Sequence, residues 1–454
     1  MTPTRDELAR GQPFRLSSGS VGIVGELIGS GGQGAVYAVD TTGRRLALKW
    51  YHSHVVLADL TLRARIARMV RQGPPDQNFL WPLDFAEIQG SPSFGYIMPL
   101  ISSDRRPLKD LFVAPPRGIN PALDIRATAC FDIATSFQRL HATGYCYQDI
   151  NFGGFFIDAE RGTIQICDAD NIAVDGEPGG VYGTRKFMAP EVVRRQALPS
   201  TKTDLYSMAV LFFYMIFNWH PLDGKREAQA GIMDHALEMK FYGQEPCFLF
   251  DPHSDANGPV PKVHDWVVAR WAAMTERMRV LFIRVFTLGL TQIQDRPLES
   301  EWRSALAHLR ESTVNCPACG FAHGVDRAMQ QRGCSCVACG AAVPLPPLLN
   351  AGRDPILLTP RRKLFEYQLS SGYIVTDEAP IGTVESHPRD RAILGLQNIG
   401  AGTWSAHTVD GNKVTIVPGK TVRIVDGIAI NFGIREGTVS GVSGADAVPL
   451  GSAA

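Results

Sequence analysis

"ELIGSGGQGAVYAVDTTGRRLALKWY", residues 26–51, is the stretch whose reading decides the fold. Its glycines fall as Gly29-x-Gly31-x-x-Gly34, with Val36 two positions on. Glycines permit a tight turn that brings backbone N–H groups close to phosphate oxygens. The same spacing opens dinucleotide-binding folds, but there a helix starts within the motif. Here the residues after Gly34 alternate and then turn at Thr41-Thr42-Gly43. That is a hairpin, with the glycines between two strands. Lys49 follows on the next strand, fifteen residues after Gly34. Alone it would be a solvated strand lysine. Behind a strand–glycine loop–strand unit it is placed to reach a phosphate.

Downstream, "RLHATGYCYQD" (139–149) ends a helical stretch on Asp149, and "IQICDADN" (164–171) carries Asp168 nineteen residues later. "GTRKFMAPEVV" (183–193), "TKTDLYSMAVLFFYM" (201–215) and "QDRPLESEW" (294–302) follow in that order. Six such motifs together resemble a eukaryotic-type Ser/Thr protein kinase domain, over residues 20–310. The resemblance implies an α+β, bilobal fold that takes ATP and Mg²⁺. "ALKWY", "FLWPLDF", "GYCYQDIN" and "FMAPE" narrow it to bacterial kinases of the tellurite-resistance-associated phosphorylation triad. In that neighbourhood a PP2C-type phosphatase and a von Willebrand A-domain protein accompany the kinase, so both are implied partners beside protein substrates.

By that resemblance the loop Gly29, Ser30, Gly31, Gly32, Gln33, Gly34, with Val36 and Ala47, would cover the nucleotide. Met98, Pro99 and Ile101 of "YIMPLI" would form the hinge that meets adenine. Lys49 would grip phosphates, Asp168 would hold Mg²⁺, and Asp149 would orient and deprotonate the acceptor hydroxyl. Thr184 sits where such kinases line the acceptor site, and Arg296 would pair with Glu191.

Several positions depart from the pattern. No Glu lies between Trp50 and Ala86, where a kinase keeps the acid that pairs with its lysine. The helical candidate "ADLTLRARIARMVRQG" (58–73) has Asp59 as its only acid, so Asp59 or an acid from elsewhere must substitute. Tyr147-Gln148 replaces His-Arg before Asp149, which predicts activity without a phosphorylated activation loop. Asn151 stands in a lysine position close to the reacting phosphate, Gly154 replaces a metal-binding Asn, and the third residue of the Asp168 motif is Asp170. Asn151 or Asp170 is the expected substitute ligand for a second Mg²⁺. The departures keep a second reading open, an ATP-binding pseudokinase that acts as a scaffold. His141, Tyr147, Cys146 and Cys167 read as structural, and Arg63, Arg65, Arg68 and Arg71 as a solvated helix face.

"NCPACGFAHGVDRAMQQRGCSCVACGAAV" (315–343) pairs Cys316-x-x-Cys319 with Cys336-x-x-Cys339 across sixteen residues. Two CxxC knuckles at that spacing close a tetrahedral, structural Zn²⁺ site, a zinc ribbon over 314–343. Cys334 and His323 are left over.

The expected organisation is a flexible leader (1–19), the kinase-like domain, the ribbon, a Pro-rich linker (344–363), a β-sandwich (364–441) and a tail (442–454). Short β-type runs such as "SGYIVTD" and "AILGLQNIG" define the sandwich, whose "DG" and "INFG" endings resemble a forkhead-associated (FHA) module. The phosphothreonine-reading residues of that family have no clear match. The 454 residues carry no net charge, which argues against nucleic acid as main partner. The longest strongly apolar run, 208–217, is too short to span a bilayer, and the N-terminal sixteen residues have no apolar core. A soluble cytoplasmic protein is expected.

Overall fold

The structure, a computed structural model, describes residues 7–41, 43–114, 116–177, 180–331, 333–370, 372–376, 378–408 and 411–442. The first six residues of the expected leader and the tail from 443 lie outside the described residues. The chain divides into two compact units. One comprises residues up to 121, 132–260 and 283–299; the other comprises 122–131, 261–282 and everything from 300 on.

The first unit begins with six strands: β1 (Pro13–Leu16), β2 (Val21–Ser30), β3 (Gly34–Thr41), β4 (Arg44–Tyr51), β5 (Asp84–Glu87) and β6 (Phe94–Met98). They close an antiparallel barrel in the order β1-β2-β3-β4-β6-β5. Alternation sends Tyr37, Val39, Leu46, Leu48 and Trp50 inward to a core shared with Phe14, Leu16, Ala86 and Ile97. The expected leader is therefore corrected from residue 13 on. Arg15 pairs with both Val21 and Glu87, so β1 closes the barrel and buries Phe14.

Helices α1 (Ser53–Ala58) and α2 (Leu62–Gln72) follow β4, and α3 (Leu123–Ala142), α4 (Pro190–Val193) and α5 (Thr201–Phe217) come after the barrel. Every side chain of α5 from Thr203 to Phe217 except Tyr214 is buried, which explains its apolar run as core. Ser200 caps it by accepting from the Thr203 N–H, while the Thr203 hydroxyl answers the Ser200 N–H. Among the described residues no helix is long and apolar enough to cross a membrane.

In the second unit, two antiparallel sheets share one apolar core. One runs Ile356–Leu357, Leu348–Asn350, Glu436–Ser440, Ala429–Asn431, Trp404–His407, Lys413–Ile416; the other runs Lys363–Leu364, Gly382–Ser386, Leu394–Asn398, Thr421–Arg423. The core gathers Leu349, Leu396, Trp404, Ile430 and Val439. The stretch expected as a linker thus supplies three strands. Leu348, Leu349 and Ile356–Leu358 outweigh its prolines because each finds a buried position. Conversely, residues 372–376, read as a strand, form none. Tyr373 there donates to Glu311 at 2.6 Å, and Tyr367 and Gln368 also donate to that buried carboxylate, at 2.8 and 2.6 Å.

Candidate active site

Backbone geometry builds the site before any side chain does. Gly34 lies so close to β4 that a Cβ there would sit 2.2 Å from the Trp50 carbonyl oxygen. Gly29, Gly31 and Gly32 differ: added Cβ atoms would meet nothing within 4 Å. The first is required by strand packing; the others leave open space above a cleft of about 800 Å³. That cleft is lined by Gly29, Ser30, Gly31, Gly32, Gln33, Gly34, Val36, Ala47, Lys49, Met98, Pro99, Ile101, Asp149 and Asp168. Residues from the loop, from β3, β4 and β6 and from two later turns therefore converge on one volume, of the size small ligands occupy.

Asp149 is reached from α5. Asp204, in that helix's first turn, accepts the backbone N–H groups of Tyr147 at 2.5 Å and Gln148 at 3.2 Å. Gln148 is held at φ +69°, a left-handed conformation uncommon outside glycine. Its side-chain amide donates to the Glu177 carbonyl at 3.2 Å. Asp149 accepts the Thr184 hydroxyl at 2.8 Å. Asn151, expected near the phosphates or the second metal, instead turns back on its own loop. It donates to the Asp149 carbonyl at 3.1 Å and accepts the Gly153 N–H at 2.7 Å.

His141 ties this loop down further. Its Nε2 lies 3.1 Å from Asp204 Oδ2, and its Nδ1 bonds Glu299. Burial opposes its charged form, but the two carboxylates outweigh burial and push its pKa up to about 9. A folded-state pKa above the unfolded value contributes stability below about pH 6.5, and this is lost as pH rises through 9. We expect melting temperature to fall between pH 7 and pH 9.5, by up to about 3 kcal/mol in stability. A His141→Gln variant should lose that slope; an unchanged slope in the variant would refute the assignment.

The lysine and the carboxylates form one cluster. Asp168 is held at φ +52° and ψ +38°, with its side chain 44 % exposed and one oxygen 3.6 Å from Lys49 Nζ. Burial, partly offset by Lys49 and reinforced by Asp170, raises its pKa. Asp170 is buried, and both its oxygens accept from Lys49 Nζ, at 2.8 and 2.7 Å. It also accepts the hydroxyls of Tyr51 at 2.9 Å and Tyr96 at 3.2 Å. The expectation of Asp170 as a Mg²⁺ ligand is therefore corrected: its lone pairs are spent on the lysine and the tyrosines. Burial works against the Lys49 ammonium, yet Asp170 and then Asp168 overcome it and raise its pKa. Asp59 is the other candidate partner, and it pairs with Arg65 at 2.7 Å and with Thr61.

Gly154 has a steric cause. A Cβ there would lie 2.6 Å from the Tyr147 hydroxyl, which donates to the Cys167 carbonyl at 2.6 Å. Tyr147 is more than core packing: its phenol fills the space a side chain at 154 would need. Tyr51, Tyr96 and Tyr147 were not singled out for these roles from sequence. Two of them had a signal: Tyr51 lies two residues after Lys49 on one strand, and Tyr96 is the Lys49 pairing partner across the ladder. The residues present fit one divalent cation at Asp168, and no side chain at 154 offers a ligand for a second.

Elsewhere in this unit Arg296 meets Glu191 with two bonds, at 2.7 and 2.9 Å, and is 2 % exposed. Residues 108–260 match the family model described as protein kinase domain. That stretch, about a third of the chain, is what is similar to a protein kinase domain. The chain is similar to protein kinase YegI of Escherichia coli (strain K12), 24% identical over 325 residues, which is 66% of this chain and 46% of that protein. It is also similar to CBL-interacting protein kinase 4 of Oryza sativa subsp. japonica, 25% identical over 150 residues, 30% of this chain and 33% of the relative. Ribosomal protein S6 kinase alpha-4 of Mus musculus is 26% identical over 231 residues, 47% of this chain and 28% of the relative. The chain spans less than half the length of each of these relatives. The match covers α3, Asp149, Asp168 and α5, but not the glycine loop or Lys49.

A second site lies in the other unit. The Sγ atoms of Cys316, Cys319, Cys336 and Cys339 all fall within 4.8 Å of one another. Cys316 and Cys339 are 3.7 Å apart, and Cys319 and Cys336 3.6 Å. A tetrahedron with Zn–S near 2.3 Å has sulfur–sulfur edges of about 3.8 Å, so the four thiols fit zinc. Each knuckle turns alike: Gly320 N–H donates to the Cys316 carbonyl and Gly340 N–H to that of Cys336, both at 2.8 Å. His323 is not idle, since its Nε2 lies 3.3 Å from Cys336 Sγ. Cys334 stays outside the group.

Proposed function

We propose that this chain is an ATP-dependent Ser/Thr protein kinase. The observation that carries the reading is the convergence of Lys49, Asp149 and Asp168 on one cleft beneath the glycine loop, with Thr184 on Asp149. Bound Mg²⁺ would supply neutralisation of phosphate charge at Asp168. Lys49 grips phosphate oxygens with an ammonium that Asp170 and Asp168 keep charged. Asp149 orients the acceptor hydroxyl and takes its proton, in the place where Thr184 now bonds. Backbone groups at Pro99 and Ile101 hold the base. Gln148 binds the Glu177 carbonyl directly, which supports activity without a phosphorylated activation loop.

The finer reading places the protein in a bacterial phospho-signalling cluster, cytoplasmic, with a PP2C-type phosphatase and a von Willebrand A-domain protein as partners. The ribbon and an FHA-like sandwich would dock those partners. One observation favours the alternative of an ATP-binding pseudokinase: Tyr147 fills the space beside Gly154 where a metal ligand would stand. Purified full-length chain should incorporate phosphate from ATP with Mg²⁺, and Asp149→Ala should lower the rate by a factor of about 10² to 10⁴. Equal rates would sink the enzyme reading. ATP with Mg²⁺ should still raise the melting temperature of both proteins; no shift in either would sink nucleotide binding.

A further inference from the structure

We propose that Asp170 is the positioning residue for Lys49, and that a single turn, Asp168–Asn171, rather than helix α2, assembles the phosphate-binding machinery. The proposal rests on the nucleotide-site reading above and adds to it what sets the lysine.

The geometry is one-sided. Asp170 gives Lys49 both oxygens, at 2.8 and 2.7 Å, from a buried position. Two tyrosine hydroxyls from the same face of β4 and β6 also hold the carboxylate. Four donor contacts to one carboxylate fix its orientation, and a fixed charge-assisted contact fixes the ammonium in turn. Helix α2 contributes no acid. It runs from Leu62 to Gln72 without Asp or Glu and presents Leu62, Ile66 and Met69 as its buried face. The acid before it, Asp59, is occupied by Arg65 and Thr61.

The same turn does two further things. Asp168, two residues earlier, faces the cleft and stands 3.6 Å from the lysine. Asn171, the next residue, accepts from Gln33 Nε2 at 3.4 Å, while Gln33 Oε1 accepts from Lys49 at 3.2 Å. Metal ligand, lysine counter-charge and glycine-loop latch therefore occupy four consecutive residues. In kinases that pair the lysine with an acid on the helix, displacing that helix breaks the site. Here the Lys49–Asp170 pair uses no residue of α2, whereas a rearrangement of the turn removes all three contacts together.

The test is nucleotide binding by the full-length chain, comparing ADP with adenosine. Both use the hinge; only ADP uses the lysine. Asp170→Asn keeps the shape and removes the charge, and should weaken ADP by about tenfold or more while leaving adenosine within twofold. Asp59→Asn should leave both unchanged. Tyr96→Phe removes one donor to Asp170 and should give a smaller loss confined to ADP, which serves if Asp170→Asn fails to fold. The proposal is overturned if Asp170→Asn leaves ADP affinity unchanged, if it weakens both ligands equally, or if Asp59→Asn reproduces the ADP-selective loss. Parent protein that binds neither ligand would overturn the nucleotide-site reading itself. Parent protein that binds both but transfers no phosphate would overturn the kinase reading alone and leave the Asp170 test standing.

Discussion

Gly154→Asn, the substitution that would restore a metal ligand by sequence logic, is expected to damage the protein. The new Cβ would sit 2.6 Å from the Tyr147 hydroxyl. That hydroxyl cannot swing away freely, because it is bonded to the Cys167 carbonyl and its ring is fully buried beside Phe137 and Phe155. Overpacking at such a position costs about 1–3 kcal/mol. At about 2–4 °C per kcal/mol for a large domain, that is a melting-temperature drop of roughly 2–12 °C. Tyr147→Phe removes the offending oxygen. The nearest remaining ring atom would be 3.6 Å from the Cβ, an ordinary contact. Alone, that change gives up one hydrogen bond, about 1 kcal/mol. The double variant Tyr147→Phe/Gly154→Ala should therefore be more stable than Gly154→Ala, with a coupling above about 1 kcal/mol in a double-mutant cycle. Additive single effects would show that the hydroxyl is not the obstacle.

Loss of the zinc site should have the other large effect. The knuckle sulfurs are brought together by few apolar contacts, with Phe321, Val325, Met329 and Val343 the main ones in the ribbon. Metal binding in modules of this kind supplies about 10–16 kcal/mol of apparent free energy at neutral pH. Removing one thiolate leaves the others mutually repelling and the ion loosely held. Full-length protein should carry one zinc per chain by elemental analysis. Cys336→Ser should reduce that below half, and hydrogen exchange over 313–343 should approach the unprotected rate. Cys334→Ser, outside the group, should retain full metal content. Stoichiometric zinc and unchanged protection in Cys336→Ser would refute the assignment. His323→Gln should fall between the two, because it steadies the Cys336 sulfur and is not among the four clustered thiols.

Much of the site was legible because its signals are local. Glycine spacing, a lysine at fixed distance on a strand and two CxxC knuckles each depend on a few consecutive residues. The barrel's first strand was not legible. Pro13–Leu16 is four residues long, and part of its pairing is with Glu87 and Ala86, about seventy positions away. The Lys49 partner was half legible. The missing acid between Trp50 and Ala86 announced a replacement, but Asp170 is 121 positions from the lysine, and only folding brings them together. In sequence Gly154 is only a missing ligand, since the tyrosine seven residues earlier comes to fill the place by folding. In 344–363 the proline content masks the strand signal of Leu348, Leu349 and Ile356–Leu358, all of which are buried.

Those last residues bear on how such a protein is inherited. Along Leu348–Asn350 and Ile356–Leu358 neighbouring side chains part company. Leu348 and Leu357 belong to the apolar cluster of the ribbon, while Leu349, Ile356 and Leu358 belong to that of the two sheets. A recombination breakpoint between Val343 and Leu358, the place that looks most like a seam in the sequence, would strip apolar partners from both neighbours at once. Ribbon and sheets are therefore one cassette, transferable between proteins only together.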